Sequence, residues 1–290
     1  MARKTAQIAE PISGDQLYQE RARLALPILV RQAESGRPIS YSDLAEELGM
    51  PNPRNLNYPL GSIGQTLINI SKSWKAEIPP IQSLVVSKST GLPGEGVAWF
   101  VRDWGDFASL SRIRQRELVI GAHALIYAYP RWAEILKLLD LAPVKSDFSV
   151  LVERVSENSN AMGGGESERH RALKEFVASN PTIVGLPKKT PKGNIEVGLP
   201  SGDSLDVSFN LGDDWIAVEI KTSLSDITDV VRGLYQCIKY RAVMEAVQAA
   251  AGTARSSRAI LVLEGQLAQN LVPLRNLLGV EVCENINSLT

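Results

Sequence analysis

Two stretches in the second half of the chain alternate apolar and polar side chains with a period of two. In residues 204–210, Leu205, Val207 and Phe209 alternate with Asp206 and Ser208. In residues 215–221, Ile216, Val218 and Ile220 alternate with Ala217, Glu219 and Lys221. That period is the pleat of a strand. Gly212, Asp213 and Asp214 stand between the two and supply a turn. A hairpin of this kind must bury its apolar face against other elements, so it demands a layered domain around it. The alternation predicts Asp206 on the face opposite the apolar residues of its strand. Glu219 and Lys221, two apart, leave one face of the next strand. An Asp is therefore expected to face a Glu and a Lys across the hairpin.

The flanking segments predict the layers. From residue 166 an amphipathic helix carries Leu173, Phe176 and Val177 on one side. It ends at Asn180, because the residue before Pro181 is pushed out of the helical region. A strand is expected over 194–199 and a long helix over 229–250. A strand over 259–264, a helix after Gly265 and a last strand over 280–283 follow. The fold class is α/β (α+β), with a central mixed sheet in this half. On the long helix Gln236 and Tyr240 share a face, with Arg232 one turn earlier and Lys239 and Arg241 beside it. That polar, basic surface suits a phosphate backbone. Two carboxylates side by side need a cation between them. Asp206 and Glu219 offer hard oxygen donors suited to Mg²⁺, or to Mn²⁺. Lys221 can hold or help deprotonate a metal-bound water and offset developing negative charge.

The order helix, three strands, helix, strand, with SGDSLDVSFNLGDDWIAVEIK and GLYQCIKYRAV within it, resembles the PD-(D/E)xK nucleases, the restriction endonuclease-like proteins, in their QxxxY branch. The resemblance covers roughly residues 166–285. It implies that Asp206 and Glu219 bind metal and that Lys221 is catalytic. It also implies that Gln236 and Tyr240 shape the site and hold DNA. Many members place another acid on the first helix. Glu168 matches that position as a third metal ligand, with Glu166 and Glu196 as rivals.

The first half reads as a separate, mainly helical domain. Leu17, Leu24, Ile28 and Leu29 mark a helix over about 15–34, stopped by Gly36 and Pro38. A short helix follows, capped by Ser40 or Ser42 and ended by Gly49. A second spans 60–74. Strands are expected over 81–86 and 97–100, which would make helix, turn, helix and a two-stranded ribbon: a winged helix-like unit that lays its second helix in a DNA groove. A helical segment over 111–141 is broken by Pro130. Residues 39–100 resemble the DNA-binding domain of the O6-alkylguanine alkyltransferases and alkyltransferase-like proteins. On that resemblance the reactive Pro-Cys-His-Arg run falls on Pro80 to Ser83, where Ile81 has no thiol, and alkyl transfer is excluded. Tyr41, Arg54 and Asn55 are the expected DNA contacts here, with Arg232 and Lys239 in the second half.

At 290 residues the chain suits two domains. The expected division is 1–155, a linker over 156–165 that contains ENSNAMGGG, and 166–290. The net charge of -1 gives no global basic signature, so nucleic-acid binding needs a local patch. The two Cys and two His are scattered without the paired spacing of a four-ligand zinc site, and two Cys make no disulfide framework. No run is long and apolar enough for a membrane span, and the N-terminus has no secretory h-region, so a cytoplasmic protein is expected. These readings converge on a metal-dependent DNA endonuclease that hydrolyses phosphodiester bonds, in the setting of restriction or phage defence. Its expected partner is double-stranded DNA, and cutting both strands favours a homodimer. The alternative is a non-catalytic DNA-binding or lesion-sensing protein. The lack of an aromatic stacking pattern speaks against RNA.

Overall fold

The computed structural model describes residues 8–101, 104–144, 168–253 and 255–287. The chain divides into two compact units, Met1–Lys145 and Ser146–Thr290. The expected linker over 156–165 lies outside the described residues. Among the described residues no helix is long and apolar enough to cross a membrane.

The first unit is built from helices: α1 (Leu17–Glu34), α2 (Tyr41–Glu47), α3 (Asn57–Trp74), α4 (Arg112–Ala128) and α5 (Trp132–Leu138). The last two are the expected helical segment, parted around Pro130. Ser40 is the residue that caps α2, its hydroxyl accepting from the Asp43 amide at 3.1 Å. The buried face of α1 takes in part of the expected stripe. Ile28 and Leu29 are buried, with Ala22, Ala25, Leu26, Val30 and Ala33, whereas Leu17 and Leu24 are exposed.

The expected antiparallel ribbon is absent among the described residues. Ile81–Leu84 is a 3₁₀ turn with all four residues buried, which a strand with one wet face does not allow. Only Val85–Val86 (β2) is extended, and it pairs in parallel with Ile39–Ser40 (β1) at the start of α2. Glu95–Phe100 is also 3₁₀, not strand. Val97 and Phe100 are three apart, the 3₁₀ period. Val97 packs with Leu92, Trp104 and Phe107, and Phe100 lies against Gly64 of α3.

The second unit follows the expected order. Helix α6 (Glu168–Ser179) precedes strands β3 (Asn194–Gly198), β4 (Ser204–Leu211) and β5 (Asp214–Lys221). Then come α7 (Ile227–Ala250), β6 (Ser256–Leu263), α8 (Val272–Leu278) and β7 (Glu281–Cys283). The sheet runs β3-β4-β5-β6-β7. Its first three strands pair antiparallel, while β5, β6 and β7 are parallel. The fold class is thus mixed α+β. Leu173 and Val177 of α6 cover one face through Val207, Phe209, Ile216, Val218 and Ile220. On the other face α7 packs through Val231 and Leu234 against Leu261 and Leu263, and through Tyr240 and Met244 against Leu205 and Ala217. Strand β5 is therefore covered on both sides, as a central strand must be.

One buried ion pair anchors the first unit. Arg31 of α1 grips Glu47 of α2 with both terminal nitrogens, at 2.6 and 2.9 Å, and their side chains are 4% and 7% exposed. Arg31→Met alone should cost about 3–5 kcal/mol by taking the guanidinium away from a buried carboxylate, whereas Arg31→Met with Glu47→Leu should lie close to neutral. Urea unfolding of the full chain checks both.

Candidate active site

The alternation that runs along β4 breaks at Asp206. Leu205 packs towards α7, yet Val207 packs towards α6. The ladders show why. Pairing of β4 with β5 runs from Leu211↔Asp214 to Val207↔Val218 and stops. Pairing of β3 with β4 includes Ile195↔Val207 and Val197↔Leu205 but omits the positions between them. On β3 the omitted residue is Glu196, whose φ of 55° is left-handed. Asp206 therefore sits where β4 parts from both neighbours, and the expectation of a simple opposite face is corrected. Its carboxylate replaces the lost ladder bond: Oδ2 accepts from the Ile220 amide at 2.8 Å. Such breaks in pairing recur beside active sites, where they re-aim a side chain.

Glu219 leaves the other side of β5 and is 4% exposed. Two donors meet it. The Tyr240 hydroxyl donates to Oε2 at 2.9 Å, and Lys221 Nζ lies 3.0 Å from Oε1. Gln236 Nε2 donates to the Tyr240 oxygen at 3.4 Å, so the two residues form a chain that ends on Glu219. Gln236 Oε1 is buried without a hydrogen-bond partner. Tyr240 is itself 2% exposed, so it orients Glu219 and is not a surface for DNA. Lys221 is also 3.7 Å from Asp229, which pairs with Arg232 at 3.0 Å. Lys239 reaches Asp203 at 2.7 Å and is largely exposed.

Burial drives the Glu219 carboxyl up to about 6, with Lys221 opposing and Asp206 adding to the rise. For Lys221 burial works downward, but Glu219 and Asp229 outweigh it and hold the ammonium above its ordinary pKa. In the metal-free protein Lys221 is thus held as a positive charge and a hydrogen-bond donor.

Helix α6 presents an unexpected face. The candidate acid Glu168 is exposed, and it lies 160° around the helix from His170 at 100° per residue. Glu166 lies outside the described residues. His170 and Lys174, one turn apart beside Leu173 and Val177, point to Asp206 instead. His170 Nε2 is 3.5 Å from Asp206 and 3.1 Å from the Ile220 carbonyl, and the Asp206 contact raises its pKa. Glu196 is bound by Lys174 at 2.9 Å. The sequence reading makes His170 a helix-surface residue, whereas it and Lys174 stand on the apolar side of the helix, facing Asp206. Gly233 was passed over. A Cβ there would meet Lys221 Cε at 3.1 Å and Leu261 Cδ1 at 2.9 Å, so glycine lets α7 lie over the lysine stem.

Among the described residues no group of three or more His, Cys, Asp or Glu side chains is placed to hold a metal ion. The donor set is two carboxylates, Asp206 and Glu219, and Asp206 adds to the cost of ionising Glu219. That set fits Mg²⁺ or Mn²⁺, which keep several waters, and does not fit a structural zinc. In the first unit, Arg54 and Asn55 are exposed just before α3. Tyr41 is not free to join them, since its hydroxyl accepts from the Gly94 amide at 3.0 Å and ties down the loop.

An acid raised in the folded state stabilises only while protonated. In metal-free protein the Glu219 contribution should be intact at pH 4.5 and lost as pH rises through about 6. Glu219→Gln should remove that fall and stabilise the EDTA-treated protein at neutral pH by roughly 1–2 kcal/mol. Thermal unfolding across pH checks this; an unchanged profile would show that Glu219 is not strained.

Compared with known proteins, the chain matches no family model, no curated protein and no solved structure.

Proposed function

We propose that the second unit is a metal-dependent nuclease that hydrolyses DNA phosphodiester bonds, with the first unit holding the duplex. The observation that carries this reading is the meeting of Asp206, Glu219 and Lys221 at the point where β4 parts from β5. Two acids and a permanently charged lysine are brought together there at the cost of a buried carboxylate. Such local strain is a mark of function rather than of stability.

Asp206 and Glu219 would hold the cation. When bound, Mg²⁺ or Mn²⁺ lowers the pKa of a bound water and offsets charge on the phosphate. Tyr240 and Gln236 keep Glu219 in one orientation, and His170 and the Ile220 amide do the same for Asp206. Lys221 acts as a donor to a phosphate oxygen or to the attacking water, because Glu219 and Asp229 keep it protonated. Arg232 and Lys239 extend the positive edge along α7. Arg54 and Asn55 offer contacts to the DNA backbone at the start of α3.

Supercoiled plasmid with Mg²⁺ or Mn²⁺ is the direct assay. Wild type should nick or linearise it, EDTA should abolish cutting, and Lys221→Ala should cut about 100-fold more slowly or worse. Gly233→Ala should leave the fold intact and slow cutting by roughly 10- to 100-fold by displacing the lysine. DNA binding that survives Asp206→Ala, with no cleavage of plain, methylated or RNA substrates, would replace the nuclease with a non-catalytic DNA binder.

A further inference from the structure

Lys174 is an ammonium inside the protein. Its side chain is 4% exposed, yet Nζ lies 2.9 Å from Glu196 and 3.8 Å from Asp206. It rises from the core-facing side of α6, beside Leu173 and Val177, so its stem is packed among apolar groups. A lysine this deep stays charged only when carboxylates surround it. Glu196 meets it from a strained backbone. Its φ of 55° lies in the middle of β3, where a non-glycine residue is costly by about 1–2 kcal/mol. That conformation coincides with the omitted pair opposite Asp206. Helix, ammonium, strained glutamate and catalytic-site aspartate thus form one unit on the side of Asp206 away from Tyr240.

We propose that Lys174 is a built-in cation: its ammonium occupies the place beside Asp206 that a second divalent ion would take, so the centre binds a single metal and Glu196 is a positioning residue, not a ligand. The inference rests on the nuclease reading for the first metal. Its logic is charge balance. Asp206 adds to the cost of ionising Glu219, and neighbouring carboxylates need positive charge beside them. Lys221 serves Glu219, and Lys174 serves Glu196 and Asp206. A divalent ion entering between Glu196 and Asp206 would have to displace the Lys174 ammonium that bridges them. Glu196, at 61% side-chain exposure, retains its water-facing side and adds no desolvated donor.

Manganese binding tests this without any cleavage readout. Free Mn²⁺ is followed by electron paramagnetic resonance while it is titrated into the full chain in the absence of DNA. Wild type should bind about one Mn²⁺ per chain, and Glu196→Gln should keep both that number and the affinity, where loss of a ligand would weaken binding about 10-fold or more. Lys174→Met, which keeps the apolar stem and removes the charge, should admit a second Mn²⁺, and adding Glu196→Gln should remove it again. Two ions bound to wild type, or a 10-fold weaker Glu196→Gln, would overturn the inference and leave the nuclease reading standing. No Mn²⁺ bound at all would remove the metal-dependent reading itself. Should Lys174→Met fail to fold, the exposed Glu196→Gln variant decides.

Discussion

Moving an ionised carboxylate out of water is among the costliest steps in folding unless donors meet it. Glu219 is buried at the end of the central strand, and much of the second unit is arranged around that fact. Tyr240 and Lys221 donate to its two oxygens, Gln236 supports the tyrosine, and Asp229 and Arg232 steady the lysine. All of these except Lys221 project from α7, so the helix can occupy only one register over β5 and β6. Gly233 lets it approach closely enough for that register. Even so the compensation is incomplete, since the Glu219 pKa stays raised. The residual cost marks a place where the domain departs from what stability alone would select.

The other acid is handled differently. Asp206 keeps some exposure and sits in a gap in the sheet. It takes a main-chain amide of β5 in place of a ladder bond and answers to α6 through His170 and Lys174. The two carboxylates are therefore governed by opposite layers of the sandwich: Glu219 by α7, Asp206 by α6. Neither helix alone defines the centre. The first unit follows a simpler logic, with an alanine-lined helix core and a buried Arg31–Glu47 pair that joins α1 to α2.

Much of this was legible in the residues. The strands at Asn194–Gly198, Ser204–Leu211 and Asp214–Lys221 were readable because period two and flanking turns agree. The long α7 and the stop of α6 at Pro181 were readable because helix signals and proline act locally. The triad of Asp206, Glu219 and Lys221 was visible as polar residues on otherwise apolar strands. The failures have a common cause. Ile81–Leu84 is wholly buried and closes as a 3₁₀ turn, and Glu95–Phe100 closes as 3₁₀ around its one buried residue, Val97. Leu17 and Leu24 fit a helical stripe with Ile28 and Leu29, yet only the latter two are buried, in a face shared with Ala22, Ala25 and Leu26. In both cases packing from distant parts of the chain outweighed local preference.

Local pattern thus determined the elements, their order in the second unit and the residue types at its centre, because propensity, capping and pleat act over a few residues. Tertiary structure decided which groups those residues meet. It placed His170 and Lys174 rather than Glu168 beside Asp206, turned Glu196 into a lysine's partner, and tied Tyr41 to a loop. Each of these contacts joins residues far apart in the chain or depends on a break in strand pairing. The position of that break is set by how the layers fit together, which no short stretch of sequence encodes.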